Sequence, residues 1–224
     1  MGAWVMMQGL LLLTCEPLMH LHAHHFRPLS AFALALAVAG VGLLTGPPAM
    51  AQAAVAPAKA AAAASCPPLL QHSFPRLQDD KPQPLCHYAG KVLLVVNTAS
   101  FCGYTPQYEG LEALHARYAA HGLVVMGFPS NDFNQEAADA KKIAELCFNT
   151  YGVKFPMFAS SPVKGASANP LFAQLARATG KPPVWNFNKY LVGRDGVPVA
   201  HYGSSTAPDS ALLAGAIEKA LAVR

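Results

Sequence analysis

Residues 91–98 read KVLLVVNT, a run of branched apolar side chains too short for a helix and without the polar alternation of a half-exposed strand. Such a strand is covered on both faces, so the chain has to supply helices on either side of it. It does so in alternation. The stretch TPQYEGLEALHARY carries Leu111, Leu114 and Tyr118 at helical spacing; Thr105 is expected to cap that helix, Pro106 to take its first position and Gly122 to end it. LVVMGFPS (123–130) reads as a second buried strand, a polar loop NDFNQEAADA follows, and a helix is expected over 141–151. KFPMF (154–158) reads as a third short strand, and NPLFAQLARATG as a helix stopped by Gly180. WNFNKYLVGRDGVPVAHYG reads as a hairpin turning at Arg194, Asp195 and Gly196. A final helix over 208–224 turns Leu213, Ala216, Ile217 and Ala220 inward. This order defines an α/β domain with helices flanking a central sheet.

The composition changes upstream. No charged residue stands between Arg27 and Lys59, and the apolar core LSAFALALAVAGVGLLTG lies between HLHAHHFRP and PPAMAQ. That is the order of a secretory signal, with small residues at Ala49 and Ala51; cleavage is expected after Ala51, and the product is periplasmic or secreted. An uncleaved membrane anchor is the alternative, although Gly40, Gly42, Gly46, Pro47 and Pro48 interrupt the run. The piece before Met19 has no basic residue and fits no part of a signal, so Met19 is the expected start. The chain therefore divides into an export region over 1–51, an Ala-rich linker over 52–65 and one folded domain over 66–224. Lys and Arg number 16 against 12 Asp and Glu, spread without runs, and this excludes a nucleic-acid footprint.

Cys102 stands alone in the turn between the first strand and the first helix. A helix amino terminus carries roughly half a positive charge and unpaired N–H groups, which favour thiolate over thiol. A reactive sulfur is one reading, and a small buried cysteine used for packing is the other. His72, His87, His115, His121 and His201 show no metal-ligand spacing, so no metal is expected; no other cofactor is expected either. In an exported chain Cys66 and Cys86 are candidates for a structural disulfide.

NTASFCGYTPQYEGLEALHARY resembles the active-site segment of the glutathione peroxidase family in its cysteine rather than selenocysteine form; GFPSNDFNQE is similar to that family's second motif and WNFNKYLVGRDG to its third. The likeness runs from about Phe74 to the C-terminus. It implies a thioredoxin-like fold, a central mixed sheet flanked by helices, and a thiol peroxidase acting on hydrogen peroxide and organic or lipid hydroperoxides in the response to oxidative stress. On that likeness Cys102 is the peroxidatic residue, which attacks the O–O bond and becomes a sulfenic acid. Gln135, Trp185 and Asn186 correspond to the polar residues around the sulfur, whose N–H groups can donate to the thiolate and to the departing oxygen. The loop before Gln135 departs from the family's NQFGxQEPG by being one residue shorter and lacking its glycines and proline, which makes Asn131 an alternative donor. Cys147 aligns with the resolving cysteine of thioredoxin-dependent members, with helix packing as its competing role. Bonding it to Cys102 needs partial unfolding of its helix, because a disulfide requires Cα atoms within about 7 Å. Ser130 supplies no thiol where many members have one.

The long insertion of tetrameric members is missing before WNF, which resembles the monomeric branch with an open site. The implied partners are a hydroperoxide and a thioredoxin-like protein or glutathione as reductant, with no nucleic acid and no stable membrane insertion once the signal is removed. Two rival thiol enzymes fit less well. CGYT puts Thr105 where C-x-x-C needs a cysteine, and Thr98 is four residues before Cys102 where a peroxiredoxin has T-x-x-C. A reading of another class remains, a redox sensor or relay that passes one oxidising equivalent to a partner with little turnover.

Overall fold

A computed structural model describes residues 65–223. The expectations for the export region, the Met19 start, the cleavage after Ala51 and all of the linker but Ser65 lie outside the described residues. Among the described residues no helix is long and apolar enough to cross a membrane.

A short antiparallel ribbon of β1 (Ser73–Pro75) and β2 (Pro82–Pro84) precedes β3 (Val92–Thr98), whose seven residues are all buried. β3 runs parallel to β4 (Leu123–Pro129) on one side and antiparallel to β5 (Lys189–Val192) on the other; β6 (Pro198–Tyr202) pairs with β5, so the order is β4-β3-β5-β6. The helices are α1 (Gln107–Tyr118), α2 (Ala140–Ala144), α3 (Pro170–Thr179) and α4 (Ala211–Ala222). Alternation along β3 divides the core in two. Val92, Leu94 and Val96 cluster with Leu111 and Leu114 of α1 and Leu213 and Ile217 of α4. Leu93 and Val95 join Leu171, Phe172 and Leu175 of α3 with Phe128 and Phe158. Each such side chain, fully buried, contributes about 1.5–3 kcal/mol of transfer free energy, so β3 is where the fold is most firmly fixed.

Cys66 and Cys86 are joined by a disulfide that ties the start of the domain to the helical turn leading into β3. Gly122 takes φ +100° after the last turn that follows α1, and Gly180 takes φ +66° after α3, as the expected helix stops require. The hairpin turns where the sequence places it, with Gly193 N–H donating to Val197 O and Gly196 at φ +77°.

Three local expectations are corrected. KFPMF is not a strand: it makes single bridges through Met157 to Gly127 and through Phe158 to Arg76, because Pro156 has no N–H to continue a ladder. Thr105 does not cap α1 and Pro106 does not take its first position: Pro106 itself stands at the cap, before Gln107 and with no side-chain bond, and the Thr105 hydroxyl turns back into the loop instead. The helix over 141–151 is not one regular helix, since α2 ends at Ala144 and a π-helical turn, Glu145–Thr150, follows.

Candidate active site

Cys102 lies just beyond the carboxyl end of β3, in the turn that leads to α1. That turn is tied to itself. The Thr105 hydroxyl accepts from Cys102 N–H at 3.1 Å and donates to Ala99 O at 2.9 Å, and Thr105 N–H donates to Cys102 O at 2.9 Å. The Tyr104 N–H donates to Cys102 Sγ at 3.4 Å. The sulfur-bearing residue is 7% exposed, beside Phe101 at 69%.

A second loop clamps the first. Phe101 N–H donates to Gln135 O at 2.9 Å, and the Glu136 carboxylate accepts from Ser100 N–H, from the Ser100 hydroxyl and from Ala137 N–H. Burial is the main influence on Glu136, and it raises the carboxyl above its ordinary range despite those donors. Its Oε2 is buried with no partner among the described residues. The loop manages without the family's glycines because Asn134 adopts φ +57°, a left-handed conformation that asparagine tolerates. The Asn131 Oδ1 accepts from Glu136 N–H at 3.1 Å and closes the loop.

The third element is the turn before β5. Asn186 is fully buried and donates from Nδ2 to Gln135 Oε1 at 2.9 Å, which joins two of the expected site residues directly. Trp185 is 40% exposed, with its ring packed on Phe133 at a centroid distance of 5.4 Å. Val184 is exposed beside it, so Phe101, Val184 and Trp185 are large apolar groups facing solvent. Cys147 is fully buried in the π-helical turn, and burial pushes its thiol up to about 11, an effect the Tyr108 hydroxyl beside it partly offsets. As placed, it is a protonated and shielded thiol.

Sequence reasoning missed the residues that hold this arrangement, chiefly Glu136, Asn97 and Lys189, and it misjudged Thr105. Polar residue type marks none of them as buried. The one legible hint was Asn97, an amide closing an otherwise apolar strand: its Oδ1 accepts from Asn188 N–H and its Nδ2 donates to Trp185 O.

A cysteine just beyond the carboxyl end of a central strand and before a helix amino terminus, on a loop held by the Gln135 carbonyl and the Glu136 carboxyl group, is the arrangement of a thiol-based oxidoreductase on a thioredoxin-like fold. The same fold is found in a thiol:disulfide interchange protein of the thioredoxin family from Chlorobium tepidum TLS, at a TM-score of 0.51 and 15% identity over 67% of this chain and 92% of that one. The sequence model of glutathione peroxidase matches residues 71–176. Hydroperoxy fatty acid reductase gpx1 of Synechocystis sp. is 44% identical over 154 residues, covering 64% of this chain and 90% of the relative. The crystal structure of Trgpx in its apo form superposes with a TM-score of 0.55 at 32% identity, covering 68% of this chain and 95% of that one. The chain belongs to the glutathione peroxidase family, and it is a peroxidase.

Proposed function

We propose that Cys102 is the peroxidatic residue of a thiol peroxidase that reduces hydrogen peroxide and organic or lipid hydroperoxides and is regenerated through Cys147. The observation that carries the reading is the direct hydrogen bond between Asn186 and Gln135, on a loop whose Gln135 carbonyl holds the residue next to Cys102. In the first step the Cys102 thiolate attacks one peroxide oxygen; an S–O bond forms as the O–O bond breaks, and the departing oxygen takes a proton to leave as water or alcohol. Sulfur is oxidised to sulfenic acid and the peroxide is reduced. The amides of Gln135 and Asn186 and the indole of Trp185 stabilise the charge that develops on the departing oxygen.

In the second step Cys147 ionises and its thiolate attacks the Cys102 sulfur, the S–O bond breaks, and the released hydroxide takes up a proton equivalent to the one Cys147 gave up, leaving as water. A thioredoxin-like protein or glutathione then reduces the disulfide. Cys147 has to leave its buried place to ionise, and the π-helical turn that holds it is a weak point for such unwinding. The apolar side chains of Phe101, Val184 and Trp185 at the rim suit bulky hydroperoxides, in keeping with the relative named for hydroperoxy fatty acids. The enzyme acts as a monomer without a prosthetic group, in the periplasm or outside the cell, where it serves the response to oxidative stress; the Cys66–Cys86 disulfide suits that compartment.

The test is steady-state consumption of hydrogen peroxide and of a lipid hydroperoxide, with thioredoxin and glutathione compared side by side. Cys102→Ser is expected to abolish both rates, and Cys147→Ser to lose the thioredoxin-coupled rate selectively. Retention of that rate in Cys147→Ser would remove Cys147 from the cycle. A single turnover per thiol with either reductant would instead indicate a relay.

A further inference from the structure

Three consecutive carbonyls of the Trp185 turn are each held by a buried side chain. Trp185 O accepts from Asn97 Nδ2 at 3.0 Å and from Asn188 Nδ2 at 2.8 Å. Asn186 O accepts from the Ser204 hydroxyl at 2.6 Å, and Phe187 O accepts from Lys189 Nζ at 2.8 Å. Phe187 itself has φ +58°, a left-handed conformation that a bulky residue keeps only where its surroundings impose it.

Lys189 is fully buried on β5, and its second bond is to Gln107 Oε1 at 2.7 Å. Gln107 opens α1, the helix that follows the Cys102 turn, and its own amide donates to Ser204 O at 2.7 Å. The ammonium thus bridges the two elements that flank the sulfur. No carboxylate pairs with it among the described residues, and burial alone lowers its pKa to about 8. A buried cation without a counter-charge costs stability that an apolar chain of similar length would not, so packing does not explain this residue type.

We infer that Lys189 is a positioning residue for the peroxide reaction: its ammonium fastens the turn bearing Trp185 and Asn186 to the first turn of α1, and the fastening weakens when the ammonium loses its proton. The inference rests on the reading of Cys102 as peroxidatic. An ammonium-to-carbonyl hydrogen bond is charge-assisted, and a neutral amine makes a weaker one. Around Lys189, α1 presents the uncharged Gln107, β3 the register partner Val96, and β6 the register partner Tyr202 with His201 next to it. His201 is lowered by burial and by the positive charges of Lys181 and Lys189, so it is already neutral where Lys189 titrates; Tyr202 is raised by burial and ionises later. Ionisation of a reacting thiol makes the rate rise with pH, whereas loss of the Lys189 proton acts in the opposite direction.

The experiment uses the full chain carrying Trp4→Phe, which leaves Trp185 as its single tryptophan. Stopped-flow fluorescence follows the reduced protein as it meets hydrogen peroxide over a range of pH. The rate constant is expected to rise, pass a maximum and then fall by at least about threefold as Lys189 deprotonates, while the resting Trp185 emission shifts over the same interval. Lys189→Met is expected to react about tenfold more slowly at neutral pH and to show neither the falling limb nor the emission shift. Absence of the limb from the parent protein overturns the inference, as does a limb that survives in Lys189→Met or a parental rate in that variant. Where Lys189→Met fails to fold, Lys189→Gln keeps a neutral donor and must also lack the limb. A signal that persists in Cys102→Ser overturns the assignment of Cys102 and this inference with it; the other failures, with Cys102→Ser silent, overturn the inference alone.

Discussion

Glu136 shows how one residue can couple two loops. Its carboxyl group joins the Cys102 turn through Ser100 to the loop that carries Gln135, and it does so in a buried place that raises its pKa. A carboxyl raised on folding binds its proton more tightly in the native state, so ionising it opposes folding. That penalty is absent below the unfolded value of about 4.3, grows as pH rises and is complete above the native value. Glu136→Gln carries no such term. The stability of the parent protein relative to Glu136→Gln is therefore expected to fall as pH rises through that window and then to level off, measured by urea denaturation of both proteins at several pH values. A difference independent of pH would show that the group ionises in its ordinary range. Thr105 makes a related point, because its hydroxyl satisfies Cys102 N–H and Ala99 O within one turn, where a helix cap would have left both unmet.

Among the elements, the segment from α2 through the π-helical turn differs from the rest. α2 spans five residues capped by Asp139, and the wider turn that follows places Cys147 inside, with its carbonyl accepting from Val153 N–H. Wide turns have poorer hydrogen-bond geometry than α-helix, so the amides of Glu145–Thr150 are expected to exchange hydrogen faster than those of β3 and α1, and under the proposed cycle faster still in the oxidised protein. Hydrogen-exchange mass spectrometry of the reduced and oxidised protein checks both statements. Protection equal to that of β3 would mean that Cys147 stays shut in, leaving the second step without a route. The period of apolar residues foretold a helix here, since Ile143 and Cys147 both face inward, but periodicity does not register one extra residue per turn.

At the scale of the whole molecule, the Cys66–Cys86 disulfide closes a separation of 20 residues on the α3 side of the sheet, while Cys102 belongs to the cluster on the opposite side. Cross-linking a loop of that length stabilises the domain by about 3 kcal/mol through the unfolded chain. Replacing both cysteines by serine is expected to lower the unfolding free energy by about that amount and to leave peroxide reduction unchanged, as measured by urea denaturation and a peroxidase assay. An equal loss of activity would mean that the bond also shapes the site.

Read residue by residue, the chain already specified the four strands of the central sheet, most of its helices, their stops and the place of Cys102 between strand and helix, but not the β1–β2 ribbon. Those features depend on neighbours within one or two turns: branched apolar runs, the three-and-four spacing in α1 and α4, and the glycines at 122, 180 and 196. Tertiary packing alone decided that Thr105 ties a loop, that Asn134 rather than glycine supplies the left-handed turn, that 154–158 gives only bridges, and that Glu136 and Lys189 are buried. The reason is physical. A polar side chain has the same chemistry on the surface and in the interior, and the bonds that tie Glu136 to Ser100 and Lys189 to Gln107 span 36 and 82 residues along the chain, so only the folded core assigns these side chains their roles.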